Sequence, residues 1–324
     1  MAQRLLIAVG AGLAAAILFV VPVKGTTFAM LIAFLAALPI MIAGLGFGQI
    51  SALIAGAVGT LSIAIFLHPV FGGVFALSLA FPAWWLSRLA VLCRPVSENS
   101  TEVVWYPISR LLGWIVVLSI AMTLIVMAMV ILQAGSYAEF VDTTASRLAP
   151  ALESLIGNGM IPAGFGTNDF ARLIVGLMPS VMAGWAVVSL AVNLWLAGRV
   201  VLISQLLTRT WEDLPQHLEM PLVARQAFAL GLLGCLIEGP LRMVGSTVAA
   251  AIGVAYAFQG LATIHFITRG SAGRLPILMG VYFTMVVMLP WPLLLAAATG
   301  LAETFYPLRR PKTPPPKPPL TPIN

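Results

Sequence analysis

Charge is what this sequence has least of. Only 9% of its 324 residues are Asp, Glu, Lys or Arg, too few to solvate the surface of a globular domain in water. Cysteine occurs twice and histidine three times. Cys93 and Cys235 sit in or at the end of apolar runs, with no CxxC spacing and no histidine close by, which argues against redox or metal chemistry. His68, His217 and His265 are isolated from one another in sequence. No hydrolase elbow, Walker loop, HExxH, dinucleotide fingerprint or paired-carboxylate constellation occurs, so the chain is read as a non-enzyme without a cofactor. The formal charge of +6 comes from basic residues scattered between apolar segments, not from one patch with interleaved aromatics, and nucleic acid is not an expected partner.

What is present in abundance is apolar surface: 60% of residues are hydrophobic and the mean hydropathy is +1.02. The solvent must be a lipid bilayer. Stretches able to cross about 30 Å of hydrocarbon, roughly 20 residues each, recur along the chain. The segments are Leu5–Val23, Thr27–Phe47, Ile50–Leu67, Val70–Cys93, Ile108–Gln133, Ala171–Gly198, Leu222–Gly239, Leu241–Ile267 and Leu275–Leu301. The first follows Arg4 as a secretion signal would, but it is too long for a signal core and lacks a clear small-x-small cleavage site, so it reads as an uncleaved span. The expected fold class is therefore all-α, a polytopic transmembrane helix bundle of about eight spans.

Polar stretches divide the chain. Residues 1–93 form a four-helix membrane block and 94–107 a cytoplasmic linker; 108–310 form a second membrane block, and 311–324 a Pro-rich basic tail expected to be disordered. In the second block, residues 136–168 place Phe140, Val141, Ala145, Leu148, Leu152, Leu155 and Ile156 at helical spacing between Glu139, Asp142, Arg147 and Glu153. Residues 199–221 repeat the pattern with Val200, Ile203, Leu207, Trp211 and Leu214. Both segments predict amphipathic helices, either in the interface plane or packed on the bundle ends.

The positive-inside rule discriminates between topologies. If every apolar segment crosses and the N-terminus is cytoplasmic, about 8 of the 17 basic residues fall outside. If Leu222–Gly239, which carries Arg225 and Glu238 and stops at Gly239-Pro240, does not cross, only about 5 of the 17 do. The second arrangement is the expected one, in a bacterial inner membrane with both termini in the cytoplasm and residues 136–168 in the periplasm.

Polar groups inside apolar segments need a partner or a wet cavity. Asn193 and Gln259 are candidates for interhelical hydrogen bonds. Glu238 and Arg242, four residues apart across Pro240, are candidates for a paired half-helix tip that could touch solute, with simple interfacial placement of both charges as the alternative. Arg88 lies beside Trp84 and Trp85 near a span end, where snorkelling accounts for it. Small residues four apart, Ala8, Gly12 and Ala16, then Ala11 and Ala15, then Gly44, Gly48, Ala52 and Gly56, allow close helix approach, either internally or as a docking face for a partner subunit.

Three stretches, Pro82–Leu92 (PAWWLSRLAVL), Ala255–Phe266 (AYAFQGLATIHF) and Gly300–Arg310 (GLAETFYPLRR), together resemble the YybS-like bacterial membrane proteins over nearly the whole chain. The family-like C-terminal pattern falls on Gly300, Leu301, Glu303, Phe305 and Arg309. That family is similar in its N-terminal helices to the S components of energy-coupling-factor vitamin transporters. The resemblance implies a docking face for a coupling subunit at Ala11 and Ala15, and uptake of a small solute with partner subunits. The chain departs from S components in having more spans and no vitamin-pocket motif. A structural or assembly factor of the cell envelope is the alternative.

Overall fold

The computed structural model describes residues 2–21, 26–96, 102–156, 161, 164 and 166–309. Helix α1 (Ala2–Val20) is followed by α2 (Thr27–Ala33) and α3 (Leu38–Phe47), two halves of one span separated at Phe34–Ala37. Pro39, in the first turn of α3, cannot donate the bond that would continue α2 into α3. Next come α4 (Gln49–Phe66), then α5 (Pro69–Phe75), which passes through one π-helical turn (Ala76–Ala80) into α6 (Phe81–Ala90). Pro82 at the start of α6 supplies the same local cause. Among the described residues, seven helical stretches are long and apolar enough to cross a membrane, and the chain is a multi-pass membrane protein.

The linker is not featureless: β1 (Cys93–Pro95) and β2 (Val103–Trp105) pair antiparallel in a short hairpin. Helix α7 (Ile108–Ala134) leads into the amphipathic α8 (Tyr137–Ile156), whose apolar face packs on the first turns of α9 (Thr167–Ile203). Ala145 is sealed there against Ala171 and Val175, and Arg172 meets Asp142 at 3.0 Å. Residues 199–221 do not form the second amphipathic helix. Val200 and Ile203 belong to the end of α9, Gln205 adopts a positive φ of 56°, and only the single turn α10 (Leu214–His217) follows. Trp211 leaves the expected stripe because its ring fills the space over Gly198.

Helices α11 (Val223–Gly234) and α12 (Pro240–Ile267) are antiparallel, with Phe228 beside Gly253, Gly231 beside Ala249, and Gly234 beside Gly245. The segment Leu275–Leu301 is not one span. It divides into α13 (Arg274–Val287) and α14 (Trp291–Glu303) around Met288–Pro290. Gly260 of α12 packs on Ala296 and Gly300, and Thr263, one turn further, bonds to Glu303, so α14 runs parallel to α12. Helix α13 must therefore run back along the bundle before α14 returns. The pair is a hairpin that starts and finishes at the end where α12 terminates. Sequence periodicity sees only the combined apolar length, whereas Pro290 and Pro292 prevent helix continuity.

One buried core joins the two membrane blocks, running from Ile40, Met41, Phe75 and Leu86 through Leu111 and Val187 to Val201 and Tyr256. Large apolar side chains such as Leu132, Ile203 and Val286 remain on the outside, where lipid replaces water as their surroundings.

Candidate functional site

Two helix interruptions and one in-helix proline meet at one place. The α2–α3 break supplies Ala37, the π-turn supplies Ser78 and Leu79, and the stretch of α9 just beyond Pro179 supplies Met182, Trp185, Ala186, Ser189 and Leu190. Together with Met122, Thr123 and Val126 of α7 they line a cavity of about 190 Å³ that opens to the outside of the bundle beside Met182 and Trp185. Ser78, Thr123 and Ser189 all sit near the middle of their transmembrane segments, so the cavity lies at mid-depth.

The polarity of this region follows from the break itself. Ending α2 at Ala33 leaves the Phe34 carbonyl seeking a donor in a water-poor interior. Asn193 donates to it at 2.7 Å and Ser189 at 3.1 Å; the same Asn193 amide group donates to the Ser189 carbonyl at 2.7 Å. Asn193 is wholly buried and its Oδ1 has no partner, as is true of the Ser119 hydroxyl one turn from Thr123. No charged side chain lines the cavity among the described residues. Walls that are mainly apolar, with three hydroxyls, suit a small neutral or weakly polar solute.

Gln259 belongs to a second, separate polar centre. Its Oε1 accepts from the Met220 amide at 2.8 Å, and its Nε2 lies 3.4 Å from Glu303. Thr263 donates to the same Glu303 carboxylate at 2.5 Å. Arg309 bonds to the other carboxylate oxygen and reaches the Pro215 and Leu218 carbonyls at 3.0 and 3.1 Å. Every polar group of this cluster is occupied in holding the 214–220 loop against α12 and α14, so it is a clasp rather than a binding site. Two further contacts secure the loop: Arg209 donates to the α6 carbonyl of Ala90 at 2.9 Å and to Glu212 at 2.7 Å, and Arg269 grips Asp213 with bonds of 2.5 and 2.6 Å.

The remaining sequence candidates are dispersed. Glu238 and Arg242 do approach, at 3.9 Å, but Glu238 is 93% exposed and Arg242 56% exposed, so the pair stands on the surface of the chain and not within it. The turn of Leu236–Gly239 carries both charges beyond the packed part of α11 and α12. Ala15 is completely buried because α1 lies on α4, where Gly12 touches the Ala55 backbone; Ala11 is partly buried in the same core. The expected docking face is consumed by internal packing. Arg88 lies 5.7 Å over the Trp84 ring, in accord with snorkelling. His265 meets the Tyr282 hydroxyl at 2.8 Å, and His68 caps its own helix by accepting from Val70.

No family model matches the chain, and no curated protein or solved structure matches it. The cavity residues Ser78, Thr123 and Ser189 carried no signal of their own in the sequence, since isolated hydroxyls in apolar runs are commonplace. Pro39 and Pro82 inside apolar stretches were the available sign that two spans are interrupted, whereas α9 runs on as a helix through Pro179.

Proposed function

We propose that the chain binds a small neutral or weakly polar solute in the mid-depth cavity and takes part in its movement across the membrane, without catalysis. The convergence of two helix interruptions and the in-helix proline of α9 on one cavity carries this reading. Discontinuous helices place backbone dipoles and loose joints at the bilayer midplane, the arrangement from which membrane transport sites are built. The resemblance of three stretches to YybS-like proteins, and through them to S components, would add uptake together with partner subunits. Burial of Ala15 means that such a subunit would have to dock elsewhere.

The arginine distribution supports an inner-membrane orientation with the N-terminus in the cytoplasm. Of the described arginines, only Arg147, Arg172 and Arg242 lie at the end that carries α8 and the α11–α12 turn; the rest gather at the end that carries the β-hairpin and the clasp. This asymmetry arises when Leu222–Gly239 crosses beside α12 and Leu275–Leu301 doubles back, the reverse of the roles assigned from sequence.

Cysteine accessibility tests the cavity. In a background with Cys93 and Cys235 replaced by alanine, Thr123→Cys and Ser189→Cys should react in membranes with a small methanethiosulfonate ammonium reagent, and Ala186→Phe should slow both reactions. Two inert cysteines would mean a dry, solid core and would favour the envelope-scaffold alternative.

A further inference from the structure

A second concavity, about 500 Å³, opens on the flank of the bundle between α7 on one side and Met220, Pro221 and α11 on the other, with Val248 and Ile252 of α12 as its floor. Its α7 wall is graded. Tyr106, Arg110 and Trp114 stand at the mouth, and Val117 and Ile120 lie deeper. The mouth is fixed: Trp114 donates to the Tyr106 hydroxyl at 3.0 Å, and the Trp85 ring meets Trp114 edge-on at 5.3 Å. Amphipathic aromatics gathered at one level mark the headgroup interface. From Arg110 to Ile120 the helix rises about 15 Å, the depth of one leaflet in a hydrocarbon core of about 30 Å.

Arg110 differs from the arginines of the clasp loop and of α11. Arg209, Arg269 and Arg309 are each spent on a carboxylate, and Arg225 stacks over Phe305 at 5.2 Å. Arg110 is exposed and has no ion pair among the described residues. A lone guanidinium above an aromatic collar, over an apolar trough one leaflet deep, has the polarity profile of a single phospholipid. We propose that this groove is a specific site for one anionic glycerophospholipid. Arg110 holds the phosphate in a charge-assisted contact, and an acyl chain lies along Val117, Ile120 and Ala227.

Native mass spectrometry of the full chain in detergent, with dioleoylphosphatidylglycerol or dioleoylphosphatidylcholine added, tests the assignment. The wild type should retain one phosphatidylglycerol roughly tenfold more strongly than phosphatidylcholine, because the choline cation that the second lipid carries beside the same phosphate is repelled by the Arg110 guanidinium. Arg110→Gln should erase that preference and Arg110→Lys keep much of it, whereas Arg94→Gln, at an exposed arginine of the hairpin, should leave it intact. Ala227→Phe, which fills the trough, should weaken both lipids alike. Equal retention of the two lipids by the wild type, an unaltered preference in Arg110→Gln, or an equal loss in Arg94→Gln would overturn the proposal. So would glycerol 1-phosphate displacing the lipid at equal concentration, because the ligand would then be a free phosphate ester.

Discussion

The guanidinium of Arg309 meets the carboxylate of Glu303 just past the end of α14, and both side chains are almost wholly buried, at 4% and 5% exposure. Removing one partner of such a pair strands the other charge, which costs about 3 to 5 kcal/mol. Glu303→Gln and Arg309→Gln should therefore each lower thermal stability in detergent by an amount of that order. Glu303→Leu combined with Arg309→Met should recover part of the loss, because no unpaired charge remains. If either single change were neutral, the clasp would not be holding the loop.

The close approach of α12 to α14 depends on Gly260 and Gly300. A Cβ added at Gly260 would overlap the Ala296 carbonyl oxygen, and one at Gly300 would overlap that of Tyr256, so both positions oppose rigid backbone. Gly260→Ala or Gly300→Ala should cost about 3 kcal/mol or more, at the upper end of overpacking effects. Gly253→Ala is the control on the same helix, since its nearest neighbour is a Phe228 ring carbon at 3.7 Å, and it should be tolerated. Size-exclusion profiles and melting curves of the three variants would separate these outcomes.

Loop 204–222 should also respond to pH. Hydrogen bonds from Arg269 are the main cause holding the Asp213 carboxyl below its ordinary range, aided by the charges of Arg269 and His217, while burial opposes them. A carboxyl with a depressed folded-state pKa adds stability above its unfolded pKa and loses it as pH falls through the lower, folded value. Opening of the loop, read as hydrogen exchange corrected for the intrinsic pH dependence of amide exchange, should stay flat from neutral to mildly acidic pH and rise only in strong acid. Arg269→Gln should move that rise to higher pH, with little change at neutral pH because the pair is more than a third exposed.

The membrane class, the nearly uniform helicity and the helix α8 were legible because each rests on a repeated pattern: apolar runs of spanning length, or a stripe at helical spacing. The reading of Asn193 and Gln259 as interhelical hydrogen-bonding groups also holds, since a buried amide in lipid must find partners. What stayed hidden depends on pairing across the fold. Glu238 and Arg242 had the right spacing for a pair, but spacing says nothing about burial, and the turn leaves them in the open. Ala11 and Ala15 presented a small-residue face, and that the bundle's own core takes it up the sequence could not say. Conversely, the Gly300–Arg309 pattern was noticed only as a resemblance, and its physical content, a buried acid and arginine beside a glycine helix contact, emerges only once α12 and α14 lie side by side.

Exposure of the Glu238–Arg242 turn yields a simple contrast with the clasp. Glu238→Gln and Arg242→Gln should leave the melting temperature within assay scatter, because water and mobile ions screen so open a pair. A large loss from either change would mean that another molecule covers this turn in the membrane.

The hairpin of α13 and α14 makes a topological prediction that a spanning Leu275–Leu301 contradicts. Ser271 precedes α13 and Tyr306 follows α14; both are exposed, and the parallel course of α12 and α14 brings them to the same end of the bundle. Ser146 of α8 is exposed at the opposite end. The burial of Tyr137, which raises its phenol pKa, is partly offset by the charge of Arg242, in keeping with α8 and the α11–α12 turn sharing that end. In a background lacking Cys93 and Cys235, Ser271→Cys and Tyr306→Cys should react with a membrane-impermeant maleimide only after the inner membrane is opened. Ser146→Cys should react in cells whose outer membrane alone has been permeabilised. Had Leu275–Leu301 crossed as one span, Ser271 and Tyr306 would label from opposite sides, and that single result would undo both the hairpin and the orientation inferred from the arginines.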